Sequence, residues 1–320
     1  MKKAIITFDI GGTFIKWALF NDQAQIIENG KFPTNEYAEQ ALKKHWERSP
    51  KMLPSPLYFK QKINIPEALI EQIEKFKNRY EIVSCGISTS GVVDIATGEI
   101  KCQGPSFKEY VGTNFAWSFK NRKLNFETKV DNDVNCAIMG EKYFGSLKNY
   151  SNCVMIAIGT GIGGGIIINN QLYYGSNYMA GEVGNLVLNK NDTWETNNST
   201  RALITKVRTI VKDNDITAEQ ILANYEKYDD KVKTIIDDFY LDLALAIVNI
   251  TMVLNPQAIC LGGAIAQCEH FDLNKLNKIL FEQLPINKGL ISNLKIIKAS
   301  LGNDAALYGA YSLVNRKYKV

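Results

Sequence analysis

The residue types that could do chemistry fall in a few short segments. Gly159-Thr160-Gly161-Ile162-Gly163-Gly164 reads literally as G-x-G-x-x-G, with Gly165 behind it. A dinucleotide-binding turn of that form must open a helix whose N-terminus faces a pyrophosphate. Here the next residues, Ile166-Ile167-Ile168-Asn169-Asn170, read as a strand and a turn, so the dinucleotide reading fails. A hairpin turn needs only one or two glycines. Five in seven residues fit a turn that brings several backbone N–H groups close to an anion such as phosphate. Thr160, Gly161 and Gly163 are its candidate contacts.

Phe8-Asp9-Ile10-Gly11-Gly12-Thr13 looks like a partner cradle. A carboxylate beside a phosphate needs a cation between them. Asp9 therefore suggests a Mg²⁺ position, held directly or through water, while Thr13 can bond a phosphate oxygen. In Lys129-Val130-Asp131-Asn132-Asp133-Val134-Asn135, one Asp or Asn could cap the following helix. Four such side chains exceed that need. Phosphoryl transfer uses a carboxylate to orient the attacking hydroxyl and take its proton. Asp133 is the candidate base, with Asn132 as a partner for a sugar hydroxyl. Glu182, in Gly181-Glu182-Val183-Gly184-Asn185, and Glu195, after Trp194, can each accept from sugar hydroxyls. Neither a Walker A lysine motif nor a protein-kinase motif set is present.

These segments need strands and turns to hold them. Ala4 to Asp9 reads as a strand, Gly11-Gly12 as a turn, Thr13 to Phe20 as a second strand, and Gln25 to Glu28 as the start of a third. Cys153 to Ile158, the glycine turn, Ile166 to Ile168 and Leu172 to Tyr174 repeat that order, which points to an internal duplication. Helices are expected over Pro66 to Lys77, Val134 to Phe144, Thr217 to Tyr225, Asp237 to Leu254 and Ala305 to Val314. Ala258 to Leu261 reads as a buried strand running into Gly262-Gly263. Lys31 to Asn64 reads as an irregular, proline-bearing insertion.

The 320 residues suit two domains, and the net charge of +4 is spread without a basic block. No nucleic-acid footprint and no span-length apolar run is visible, so neither a nucleic-acid nor a membrane partner is expected. The cysteines, Cys85, Cys102, Cys136, Cys153, Cys260 and Cys268, form no C-x-x-C pair and read as reduced thiols of a cytoplasmic protein. Two isolated histidines, His45 and His270, cannot build a multi-histidine metal site.

Taken in order, these motifs resemble the ROK sugar kinases, within the actin-like, sugar-kinase and Hsp70 ATPase superfamily. Asp9-Ile10-Gly11-Gly12-Thr13 is similar to the family's first phosphate motif and Gly159 to Gly165 to its second. Asn132-Asp133 matches its sugar-binding Asn and catalytic Asp, and Gly181-Glu182-x-Gly184 a sugar-binding glutamate motif. Leu261-Gly262-Gly263-Ala264 resembles the nucleoside-side glycine motif, and Leu301 to Ala305 the start of the last helix. The resemblance implies an α/β chain of two ribonuclease-H-like domains with the active site in a cleft between them. The first would span 1–120 plus 303–320 and the second 121–302. It also implies ATP and Mg²⁺, a sugar substrate, and transfer to a hydroxyl, that on C6 foremost. A homodimer is compatible with it.

Many members carry a histidine that binds both sugar and a structural zinc held by a cysteine loop. Here that position is Asn185, and Leu186 to Thr193 has no cysteine. The expectation is therefore no zinc, a loop held by packing on Trp194, and Asn185 kept in the sugar set. The zinc-less layout resembles a subgroup with N-acetylmannosamine and β-glucoside kinases, so a β-glucoside is the alternative acceptor. A non-catalytic sugar and nucleotide sensor is the rival of another class. With the first strand starting so near Met1, no DNA-binding module like that of the family's repressors is expected ahead of it.

Overall fold

The computed structural model describes residues 1–34, 64–102, 110–188 and 192–318. These form two compact units. One comprises Met1–Gly145, Tyr174–Met179 and Asn303–Val320. The other comprises Ser146–Tyr173 and Ala180–Gly302.

The first unit is built on a five-stranded sheet. Its strands are β1 (Lys2–Ile10), β2 (Phe14–Phe20), β3 (Ile26–Pro33), β4 (Tyr80–Thr89) and β7 (Glu127–Asn132), and β5 (Val92–Asp94) with β6 (Glu99–Cys102) make a side hairpin. The order is β3-β2-β1-β4-β7, with β1, β4 and β7 parallel. The sheet is covered on both faces, which is why β1 reads as a nearly unbroken apolar run. Ile6, Phe8 and Ile10 face α1 (Ile65–Glu74) and α2 (Phe115–Asn121). Ile5 lies in the other core, shared with α3 (Asp133–Tyr143) and the last helix, Ala305–Val314.

The second unit repeats the plan. Its strands β8 (Cys153–Ile158), β9 (Ile162–Ile168), β10 (Gln171–Leu172), β11 (Ala258–Gly262) and β12 (Lys295–Lys298) lie in the order β10-β9-β8-β11-β12. In each sheet the third, second, first, fourth and fifth strands follow one another, and the first pairs in parallel with the fourth. The duplication expected from two strand-turn-strand segments thus extends to whole sheets. Its helices are α4 (Trp194–Asn198), α5 (Thr200–Val211), α6 (Ala218–Ala223), α7 (Asp230–Leu254), α8 (Ala264–Gln267) and α9 (Leu273–Lys278). The last helix of the chain is α10 (Ala305–Val314), matching its expected bounds.

Several boundaries move. The segment 121–145, expected in the second domain, belongs to the first unit, because β7 pairs with β4 and carries α3 with it. Tyr174–Met179 also joins the first unit although both its flanks lie in the second. Helix α7 starts two turns before Asp237, capped by the Asp229 side chain on Val232 N–H at 3.0 Å. Val232 and Ile236 in these first turns are buried at helical i,i+4 spacing, a short signal among charged residues that the sequence reading passed over. The expected capping box at Thr217 and Gln220 is present. Lys31–Pro33, read as part of an irregular insertion, finish β3, while 35–63 lie outside the described residues.

Helices α3 and α10 cross at small residues. A methyl on Gly140 would overlap the Ala305 carbonyl, and one on Gly309 would overlap the Cys136 carbonyl. Gly86 of β4 likewise leaves room for the Ala310 carbonyl. Spaced four apart, Cys136/Gly140 and Ala305/Gly309 lie on one face of each helix, so the backbones themselves are in contact.

Candidate active site

Strand register lays four polar side chains side by side across the first sheet. Lys16 on β2 pairs with Asp9 on β1, Asp9 with Ser88 on β4, and Ser88 with Asp131 on β7. Ser88 Oγ donates to Asp9 Oδ1 at 2.9 Å, and Lys16 Nζ lies 3.4 Å from Asp9 Oδ2. Lys16 also donates to the Asn303 carbonyl at 3.1 Å. Asp9 thus has a protein ammonium beside it. The sequence reading passed over Lys16, since one lysine in a strand carries no motif of its own.

Gly11, Gly12 and Thr13 form the turn above this row. Gly11 N–H donates to the Phe14 carbonyl at 3.1 Å, and Thr34 ties the turn from β3's end through its N–H to Thr13 O, 3.0 Å, and its hydroxyl to Gly11 O, 2.7 Å. Gly12 is exposed, and a Cβ on it would meet nothing. No described residue accepts from the Gly12 or Thr13 amide. Uncommitted amides in one tight turn are what an anion cradle requires.

The β7–α3 turn divides its polar residues by task. Asn132 is the N-cap: its Oδ1 accepts from Val134 N–H at 2.8 Å and Asn135 N–H at 3.2 Å, and its Nδ2 donates to Gly91 O at 3.0 Å. The capping task considered for this segment falls on Asn132, which keeps one amide hydrogen for a ligand. Asp133 is the first residue of α3 and is partly exposed; its Oδ1 accepts from Val134 N–H at 2.9 Å. Asp131 is 1% exposed. It accepts from Asn132 N–H at 2.7 Å, Asn135 Nδ2 at 3.1 Å and Tyr174 OH at 2.7 Å. Burial outweighs those bonds and pushes its carboxyl up to about 6 from 3.8. Between those values the native chain holds a proton that the unfolded chain has released. This group alone therefore makes stability fall as pH rises from about 4 to about 6. The buried Cys136 thiol is held up first by burial, then by the charges of Asp131, Asp9 and Asp133, so the three carboxylates share one neighbourhood.

In the second unit a carboxylate packs against the glycine hairpin. Glu195 Oε2 accepts from Ile162 N–H at 2.8 Å, and a methyl on Gly161 would overlap that carboxylate. Gly164 and Gly181 leave room for each other's carbonyls, and Gly184 for the Ile162 carbonyl. Much of the glycine density thus packs the Gly181–Asn185 segment onto β9. Thr160 is exposed at the tip, Gly163 is half-buried in β9, and Gly159 is open on its Cβ side. Glu182 and Asn185 are exposed neighbours, with Asn185 Nδ2 3.5 Å from Glu182 Oε2. Although the residue as a whole reaches solvent, partial desolvation of its carboxylate, then the Glu195 charge, raises the Glu182 pKa above 4.5. Glu182, Glu195 and Asn185 are therefore one polar group beside the hairpin. Gly262 and Gly263 sit where β11 enters α8. A methyl on Gly262 would strike the Met155 side chain and one on Gly263 the Ile158 carbonyl, so both hold β11 tightly to β8.

The loop before Glu195 is closed by an isolated bridge between Val187 and Thr193 and by Trp194 N–H donating to Leu186 O at 2.7 Å. Trp194 is 1% exposed in the unit's core, the packing anchor expected for a loop without cysteines. Among the described residues no group of three or more His, Cys, Asp or Glu is arranged to hold a metal ion, and no helix is long and apolar enough to cross a membrane.

The model of the ROK family matches residues 48–317. A glucokinase of Halalkalibacterium halodurans is 27% identical over 97% of this chain and 94% of its own. A xylose repressor of Bacillus spizizenii is 28% identical over 78% of this chain and 66% of its own. Among solved structures, a ROK family glucokinase from Streptomyces griseus in complex with glucose and AMPPNP superposes with a TM-score of 0.76. It is 21% identical and covers 98% of this chain and 99% of its own.

Proposed function

This chain belongs to the ROK family, and from that premise we propose that it transfers the γ-phosphoryl group of ATP to a sugar hydroxyl, foremost the C6 hydroxyl of a hexose or N-acetylhexosamine. The observation that carries the reading is Asp133. Of the two aspartates in the β7–α3 turn, Asp131 is sealed in the core and Asp133 reaches solvent at the head of α3.

In this mechanism Asp133 accepts the proton of the attacking hydroxyl, and Asn132, Glu182, Asn185 and Glu195 orient the sugar. The Gly11–Thr13 turn and the Thr160–Gly163 hairpin offer amides and a hydroxyl to phosphate oxygens, and Gly262-Gly263 flank the nucleoside. Magnesium binds through one or two carboxylates together with substrate phosphates rather than in a protein cage. The Asp9–Lys16 pair fits that pattern: it leaves a carboxylate that water can bridge and an ammonium that attracts phosphate. When bound, the ion would neutralise charge on the transferring group.

Two results are expected from the second-unit residues. Gly161→Ala should push the Glu195 carboxylate off Ile162 N–H. Hydrogen bonds to charged groups are worth about 1.5–3 kcal/mol, so KM for the sugar should rise about tenfold or more. Steady-state kinetics with ATP saturating reads this, and an unchanged sugar KM would remove Glu195 from sugar binding. Glu182 accepts hydroxyls only as a carboxylate. Its raised pKa means that sugar KM should climb on acidification sooner than an ordinary glutamate would cause. A KM that stays flat down to the ordinary glutamate range would contradict its role.

The reading is tested by ADP release from ATP-Mg²⁺ across glucose, N-acetylmannosamine, N-acetylglucosamine, mannose, fructose and cellobiose. Turnover on one sugar establishes the kinase and names the acceptor, cellobiose marking the β-glucoside alternative. Nucleotide binding with no turnover on any of them would favour a sensor.

A further inference from the structure

Asp131 is a buried carboxylate for which the transfer mechanism has no direct use, and Tyr174 reaches it from an unexpected place in the chain. The sequence runs out of the second sheet after β10, enters the first unit for Tyr174–Met179, and leaves again. The first residue of that excursion places its hydroxyl 2.7 Å from Asp131 Oδ2.

We propose that Asp131 and Tyr174 form a buried lock that positions the catalytic turn, acting on Asp133 through the Asn132 amide and the first turn of α3. Asp131 gathers donors from three directions: the backbone of the next residue, the Asn135 side chain in the first turn of α3, and the Tyr174 hydroxyl. Asn132, fixed from one side by Asp131, is fixed from the other by capping Val134 and Asn135 and by donating to Gly91. Asp133 lies between these fixed points. Its neighbours are thus tied on both sides, while Asp131 itself is sealed from substrate.

A buried acceptor with three donors costs much to disturb, because each lost partner leaves a polar group unsatisfied. Tyr174→Phe removes one donor and keeps the ring. It frees the excursion from Asp131 and leaves one carboxylate oxygen without this donor. Displacing a reacting group by about 1 Å costs on the order of 10²-fold in rate. Looser positioning should cost about tenfold.

The inference rests on the kinase reading above, and the test separates the two. The full-length chain and Tyr174→Phe are assayed on the sugar that the wild type turns over, measuring kcat and both KM values. Expected is a kcat lower by about tenfold, KM for ATP and sugar within about twofold, and an unchanged circular dichroism spectrum. Asp131→Asn, nearly isosteric but one acceptor oxygen short, should show the same split with a larger kcat loss. Equal kcat in wild type and Tyr174→Phe overturns the lock. So does a loss of kcat that tracks a loss of folded protein in both variants. A wild type without turnover on any sugar would instead count against the kinase reading.

Discussion

Asp133→Asn is expected to lower kcat by about 10²–10⁴-fold, the usual contribution of a general base, with the protein still folded. The fold should survive because Asp133 makes a backbone contact that asparagine can also make. Its Oδ1 accepts from Val134 N–H, and an amide oxygen can occupy the same place. The N-cap itself belongs to Asn132 and is untouched. Sugar and ATP KM should change little, since an amide and a carboxylate fill nearly the same volume. ADP release under saturating substrates measures the effect, and circular dichroism checks the fold. Near-normal turnover would remove Asp133 from the base role and return attention to Asp9, the other part-buried carboxylate of that neighbourhood.

Gly309→Ala should produce the largest loss of stability. The added methyl would meet the backbone carbonyl of Cys136, which cannot swing aside as a side chain can. Overpacking of this kind costs about 1–3 kcal/mol, and collision with backbone places it at the upper end. Relief requires α10 to slide against α3. The expected cost is therefore up to about a hundredfold in the folding constant, at 1.4 kcal/mol per factor of ten. Denaturant melts read this directly. Because α3 begins at Asp133, the same displacement should lower kcat in the fraction that remains folded. A midpoint equal to wild type would mean that the two backbones are not in contact. Gly12→Ala is the matched control, since a Cβ there meets nothing.

The sequence alone determined a good deal. Periodicity and turn chemistry were enough for β1, β2, α10 and the capping box at Thr217, because each depends on neighbours within a few residues. The motif order was enough for the family, and the Asp and Asn density before Val134 pointed to Asp133 as a candidate base. Glu182 and Glu195 were each legible only as single candidates, and the structure places them close enough for one charge to shift the other's pKa.

Long-range pairing decided the rest. The row Lys16-Asp9-Ser88-Asp131 comes from four strands scattered over more than a hundred residues, and only register makes it a row. The glycines of the Gly159–Gly165 turn read as room for a ligand. Those at 161 and 164 also make room for Glu195 and for Gly181, which chain spacing cannot reveal. Asp131 and Asp133 are the same residue type two positions apart, but one is sealed and one is partly exposed. The strand's final inward position buries Asp131, and the helix start turns Asp133 outward. Local sequence fixes which groups can do chemistry. Burial and the partners supplied by distant strands fix which of them are left to do it.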